Sequence, residues 1–308
     1  MVRKELMLVK ILHLCAVQAE WKKWVYLGVL SVIWGSSYIL IKKGLVALSP
    51  LQLGSLRIIF TTIILCVVGF KHLGNVSPTQ QKWLLLSGFT GTFFPSFLFS
   101  YSETVIDSSV AAVLNGMTPM FTLLVALLFY QKSLIWKQTI GIGVGFVGTL
   151  ILVQDAFTFH LDHGGYALLV ILASICYALN ANWIKYKLEG VSPMAIALYN
   201  FLWISIPAGL ILLYDPIPIA SVISDTVLQK SMGYILILSL VGTAFAKVLF
   251  NQLLTFSSTV FAVSITYLLP IVAIGWGVLD GESFGWVRWV GCLIILTGVF
   301  LVTEKKKE

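Results

Sequence analysis

Ten stretches of this sequence run for about 20 residues with almost no charge: 24–43, 50–70, 80–102, 108–129, 138–154, 164–185, 194–214, 232–254, 259–279 and 286–303. About 20 apolar residues in a helix cross a hydrocarbon core roughly 30 Å thick. The connections between the stretches are too short to hold a soluble domain, so the function resides among helices. A membrane barrel would instead show segments of about ten residues alternating apolar and polar, and these runs are continuously apolar. Charged residues make up 11% of the chain and hydrophobic ones 58%, whereas a soluble domain carries about 25% charged residues. The expected fold is an all-α membrane protein of ten transmembrane helices.

The stretches fall into two related sets. "SVIWGSSYILIKKGLVALSP" occupies 31–50 and "SICYALNANWIKYKLEGVSP" occupies 174–193. Adding 143 to the first register places Tyr177 on Trp34, Asn180 on Ser37, Lys185 on Lys42 and Ser192-Pro193 on Ser49-Pro50. A shift of 151 places Gly242-Thr243 on Gly91-Thr92, Phe250 on Phe99 and Pro270 on Pro119, and a shift of 150 places Gly291 on Gly141 and Gly298 on Gly148. Each set has five spans, and an odd number sends the second copy into the membrane from the opposite face. The expectation is two inverted five-helix repeats, 24–154 and 164–303, flanked by a cytoplasmic or interfacial segment (1–23) and a cytoplasmic tail (304–308). An inverted pair creates a pseudo-two-fold axis in the membrane plane, by which one central site is exposed to each face in turn.

Nearly the whole chain from about residue 24 resembles the EamA-type branch of the drug/metabolite transporter superfamily. The resemblance is carried by Trp34-Gly35-Ser36 and Lys42 in the first span, Pro50 and Arg57 in the second, Pro119 and Pro270 in the fourth and ninth, Gly281-Glu282, and the glycines Gly141, Gly145, Gly148, Gly291 and Gly298. It implies a permease or exporter in a plasma membrane, the inner membrane of a bacterium. Two positions depart from the pattern: Gln131-Lys132 stands where the first half would carry Gly-Glu, and Leu269 precedes Pro270 where the family often has Glu.

Basic residues set the orientation, since cytoplasmic connections are enriched in them. With the N-terminus inside, the inner segments hold Arg3, Lys4, Lys10, Lys22, Lys23, Lys71, Lys82, Lys132, Lys137, Lys185, Lys187 and Lys305 to Lys307, 14 of the 20 Lys and Arg. The outer segments hold Lys42, Lys43, Lys230 and Arg288. Both termini are therefore expected in the cytoplasm. The first 20 residues read as a basic interfacial segment or as sequence upstream of a start at Met7, rather than as a cleaved leader. Cys15, Cys66, Cys176 and Cys292 have no metal or redox spacing and are expected to pack.

Helical spacing places Trp34, Ser37, Tyr38 and Ile41 on one stripe, and Tyr177, Asn180, Ala181 and Ile184 on its equivalent. Both stripes are expected to face a central cavity, with interhelical packing of small residues as the alternative. In the eighth span Thr243, Lys247, Phe250 and Asn251 share a stripe, and the third span offers Thr92, Ser96, Phe99 and Ser100, ending at Glu103. An intramembrane Lys is expensive and faces a cavity or a partner, unless it snorkels to the interface. The residues expected to bind substrate are thus Trp34, Ser37, Tyr38, Ser100, Asn115, Tyr177, Asn180, Lys247, Asn251, Thr266 and Tyr267, with Pro119 and Pro270 as hinges. Arg57, which the resemblance supplies whatever the cargo, is read as structural. His160, Asp162 and His163 read as a solvated loop rather than a metal site, and Asp107 and Asp155 as helix ends.

The reading that follows is a secondary transporter of a small organic metabolite working by alternating access, with no catalytic residues, cofactor, metal or nucleic acid. No phosphate-binding Gly-Lys loop is present, so ATP does not drive it. A buried Lys and Arg without a matching carboxylate favour neutral, zwitterionic or anionic cargo such as an amino acid, with Lys247 on its anionic group. Protons are the expected coupling ion, exchanged at Lys247 as the anion enters and leaves. The alternatives are a multidrug cation exporter, which would need a buried carboxylate, and more remotely a membrane-embedded hydrolase or acyltransferase, which would need a nucleophile and base within reach.

Overall fold

A computed structural model describes residues 2–74, 76–130, 136–137, 140–141, 143–145, 147–148, 151, 161–282 and 285–303, with side chains for these except at 2–20, 161–163, 219, 288, 299, 302 and 303. Every element among the described residues is helical: α1 (Val2–Gly44), α2 (Pro50–Gly69), α3 (Pro78–Ser102), α4 (Ser108–Asn115), α5 (Thr118–Tyr130), α6 (Leu161–Lys187), α7 (Pro193–Tyr214), α8 (Thr226–Phe256), α9 (Thr259–Val263), α10 (Leu269–Leu279) and α11 (Trp286–Thr303), with a short helix Ile219–Ser224 ahead of α8. Among these residues eight helical runs are long and apolar enough to cross a membrane, and Trp289–Gly298 of α11 is a shorter apolar run. The protein is a multi-pass membrane protein. Residues 138, 139, 142, 146, 149, 150 and 152–154 of the expected span 138–154, the tail 304–308, Gln131-Lys132, Asp155, His160 and the side chains of Asp162, His163 and Arg288 lie outside what is described.

Local sequence explains where the helices start. Ser49 and Ser77 each cap a helix with Pro in its first turn, and Gln52 and Gln80 reach back to close capping boxes. Ser192 accepts from the Ala195 amide ahead of Pro193, so the equivalent Ser-Pro pairs do the same work in both halves. Apolar side chains such as Ile63 and Val67 on α2 and Ile206, Leu210 and Leu213 on α7 stay exposed on the outer faces. Such faces suit lipid rather than water.

Two expected spans are each broken in the middle. Stretch 108–129 is α4 and α5, separated by a turn at Gly116-Met117, and 259–279 is α9, a 3-10 turn Ser264–Tyr267, and α10. The expected hinge residues Pro119 and Pro270 fall at these breaks rather than inside continuous helices. They are the second residues of α5 and α10, where a backbone N–H has no intrahelical partner to lose. α3 and α8 each contain a π-helical segment, Phe89–Phe93 and Leu238–Phe245. The 151-residue shift carries the first segment inside the second.

A central cavity as candidate substrate site

The broken helices and the π segments meet at the centre of the bundle. They enclose a cavity of about 90 Å³. Its aromatic wall is built twice: the Trp34 and Phe250 rings lie 5.2 Å apart, and the repeat-equivalent Tyr177 and Phe99 rings stack at 6.1 Å. Tyr38 meets Phe99 edge-on at 5.7 Å.

The π segments explain the Gly-Thr pairs. A π turn frees main-chain carbonyls from the regular ladder, and two of these are used across the cavity. Trp34 Nε1 donates to the Gly242 carbonyl at 2.9 Å, and Lys247 Nζ donates to the carbonyl of Gly91, the repeat equivalent. The crossings are close enough to require glycine. A Cβ on Gly91 would lie 2.6 Å from the Asn180 side chain, and one on Gly242 would lie 2.9 Å from Ser37 Oγ. Ser37 and Asn180 are themselves repeat partners, so the small and polar interruptions of the two first spans are seats for the two bulges.

Polar contacts fix the lining. Asn115, the last residue of α4, donates through Nδ2 to the Tyr38 hydroxyl at 2.8 Å, while its Oδ1 accepts from Thr118 Oγ1 at 3.0 Å and Ser174 Oγ at 3.2 Å. Asn180 Oδ1 accepts from Ser87 Oγ at 2.6 Å. Thr266 bonds the Val263 carbonyl at 2.9 Å, in the break of the other split helix.

Two cations face this space, and the described lining holds no carboxylate. Arg57 is 8% exposed and donates from Nε to Thr243 Oγ1 at 2.9 Å. Lys247 Nζ also lies 5.7 Å from the centre of the Tyr177 ring, close enough for a cation–π contact. Lys247 thus points into the bundle rather than snorkelling.

Of the expected substrate residues, Trp34, Ser37, Tyr38, Asn115, Tyr177, Asn180, Lys247 and Thr266 line the cavity, and Ser100, Asn251 and Tyr267 do not. Ser100 sits one turn beyond the lining Ser96 and returns its hydroxyl to the Ser96 carbonyl at 2.7 Å. Asn251 lies one turn beyond Lys247 and donates to the Pro193 carbonyl at 3.2 Å, tying α8 to the start of α7. Tyr267 stands in a 3-10 turn, whose side chains repeat every third residue, so its neighbour Thr266 takes the cavity side. Pro119 and Pro270 are also outside the lining. Arg57, read as structural, lies inside it. The rule that an intramembrane charge faces a cavity would have found it.

The cavity lies between two different ties. At one end Lys42 Nζ reaches Glu282 Oε1 at 2.9 Å and Asp280 Oδ2 at 3.0 Å, and Lys43 bonds Asp280. Glu282 also accepts from the Ser108 and Ser109 hydroxyls at 2.7 and 2.6 Å and from their backbone N–H groups, at the start of α4. Gly281, at φ 86°, makes the turn that brings Glu282 back there. Lys43 and Lys42 beside Asp280 hold its carboxyl below the usual carboxylate range. Burial alone would raise that of Glu282, but the Ser109 and Ser108 hydroxyls and Lys42 together bring it below that range as well. At the other end the repeat-equivalent Lys185 donates to the Leu254 and Ser257 carbonyls at 2.9 and 3.0 Å.

The EamA-like transporter family matches this chain twice, over residues 22–154 and 165–304. The chain is 28% identical to an uncharacterized inner membrane transporter, YedA, of Escherichia coli strain K12, over 90% of this chain and 89% of that one. It is 24% identical to an uncharacterized transporter of Archaeoglobus fulgidus, covering 92% of this chain and all (100%) of the other. A probable amino-acid metabolite efflux pump of Salmonella typhimurium is 24% identical, over 88% and 91% of the two chains. A solved crystal structure, 14% identical, superposes with a TM-score of 0.65 over 92% of this chain and 96% of its own, a likeness of fold. With the family matching each half in turn, this chain belongs to the EamA-like transporter family.

Proposed function

We propose that this protein is a secondary transporter of a small organic metabolite bearing an anionic group, an amino acid or related acid. Alternating access around the central cavity moves it, with halves 24–154 and 164–303, cytoplasmic termini in a plasma membrane and protons as the coupling ion. The observation that carries the reading is the pair of cations, Arg57 and Lys247, in an aromatic cavity whose described lining has no carboxylate. The starts of α5 and α10 add the positive ends of two half-helix dipoles near the same place.

Binding then follows from exchange of partners. A cargo carboxylate takes the Lys247 ammonium from the Gly91 carbonyl, and that carbonyl becomes free to accept from a cargo ammonium. A zwitterion therefore satisfies both groups that it separates. A cationic drug finds two like charges instead, which disfavours the multidrug reading. The Salmonella relative, a probable amino-acid metabolite efflux pump, agrees with this cargo class.

Uptake of radiolabelled amino acids and organic acids into proteoliposomes, set against empty vesicles, tests the reading. Uptake of at least one anionic or zwitterionic solute is expected. Uptake confined to organic cations would overturn the cargo class, and absence of any solute flux would overturn transport.

A further inference from the structure

Glu103 follows the last residue of α3 and is 7% exposed, with both carboxylate oxygens enclosed. Among the described residues no donor reaches either oxygen. Among the described residues, the charged and titratable groups near enough to act on its charge are Glu282 from the turn after α10, Arg57 from α2, and Lys42 and Tyr38 from α1. α6 approaches through the Tyr166 carbonyl, which takes the hydroxyl of the adjacent Ser102 at 2.9 Å. Glu103 therefore stands between the cavity, one turn after the lining Phe99, and the ionic tie, five residues before the Ser108 that Glu282 holds.

The contrast with Glu282 defines its chemistry. Glu282 is ionised with five donors on its oxygens, the hydroxyl and N–H of each of two serines and the Lys42 ammonium. Glu103 has none. A carboxylate enclosed in this way loses its hydration without gaining a hydrogen bond, and the negative Glu282 nearby adds to the cost. Lys42 offsets little, since Asp280 and Glu282 hold it, which leaves Arg57, whose charge the neutral Thr243 hydroxyl does not cancel, as the cation that favours the charged form. Adding one proton to one oxygen removes the charge and breaks no other bond.

We infer that Glu103 is the carrier's proton-binding site: its carboxyl holds a proton while the Lys42–Glu282 end is packed and releases it when that end parts and water reaches the oxygens. This rests on the reading of the chain as a proton-coupled carrier. It moves the proton from Lys247, whose ammonium already has the Gly91 carbonyl and the Tyr177 ring to support its charge. An anion beside Arg57 cancels the one cavity charge that favours ionised Glu103. Cargo and proton are therefore held together.

Dicyclohexylcarbodiimide, an apolar reagent that adds to protonated carboxylic acids, is the direct probe. Applied to the purified full chain over a pH series, with adducts mapped by peptide mass spectrometry, it should label Glu103 near neutral pH and spare Glu282 and Asp280. Labelling should fall about tenfold per pH unit above the titration point. No adduct at Glu103, or one no greater than at Glu282, overturns the proposal without reference to any cargo. In proteoliposomes with radiolabelled amino acids as probe, an imposed pH gradient should stimulate wild-type uptake, fail to stimulate Glu103→Gln, and stimulate Glu103→Asp along a displaced pH profile. Undiminished stimulation in Glu103→Gln also overturns it. If wild-type protein moves no probe at all, the transport reading fails, and the labelling still decides the proton site.

Discussion

Lys42 on α1 and Glu282 beyond α10 meet at 2.9 Å, and the same carboxylate seats the first two residues of α4. One side chain thereby holds three separate elements. Glu282→Gln removes the charge that satisfies them, so it should cost roughly 1–3 kcal/mol of stability, read as a lowered melting temperature in detergent. Asp280 and Glu282 both sit below the ordinary carboxylate value, which is about 4. Their contribution is therefore complete above that value and is lost as pH falls through the lowered folded values. The melting temperature should drop below about pH 4, with a shallower drop in a protein carrying Asp280→Asn and Glu282→Gln. Equal steepness in both proteins would refute this assignment.

Lys247→Met preserves most of the apolar length and removes the charge. Uptake of an anionic or zwitterionic cargo should fall by about tenfold or more, equivalent to 1.4 kcal/mol or more, with the melting temperature little changed. Lys247→Arg should retain binding. Normal uptake by Lys247→Met would show that this ammonium does not meet the cargo.

Single cysteines at Trp34, Asn115 and Tyr177, in a background without Cys15, Cys66, Cys176 and Cys292, should react with a small water-soluble thiol reagent and be protected by cargo. Cysteines at Ser100, Asn251 and Tyr267 should react more slowly, since those positions lie outside the lining. Equal rates across both groups would contradict the cavity's boundary.

Gly91→Ala places a methyl against Asn180, whose amide oxygen is held by Ser87. Overpacking of this kind costs roughly 1–3 kcal/mol. Adding Asn180→Ala should restore much of the loss, because it removes the side chain that the methyl strikes. Thermal unfolding of the two single variants and the double variant measures this, and strict additivity would mean that the crossing is looser than described.

A cytosol-dependent reporter fused after Glu308 should be active, and a periplasmic one should be silent. The reverse pattern would invert the orientation drawn from the basic residues.

The helices and their duplication were legible because both leave local marks: continuous apolar runs, Ser-Pro caps and small residues at fixed offsets. Eight cavity residues could be named for the same reason, since stripes follow from helical spacing. The misplaced ones fail where that spacing or its reach fails. Tyr267 sits in a 3-10 turn, and Ser100 and Asn251 continue their stripes past the end of the cavity. The partners of Lys42 and Arg57, and the enclosure of Glu103, were not legible, because they come from distant parts of the chain. The two breaks were visible only as prolines, which mark the start of a half-helix as readily as a kink.

The unlike ties at the two ends give the carrier a sensitivity that its duplicated architecture does not predict. Lys42 is held by full charges and is one-third exposed (33%), whereas Lys185 is held by the dipoles of two carbonyls. Dissolved salt screens attraction between partly exposed charges and has much less hold on a lysine seated on neutral oxygens. Raising ionic strength should therefore loosen the Lys42 end and spare the Lys185 end, so that the saltiness of the medium biases which face of the carrier opens.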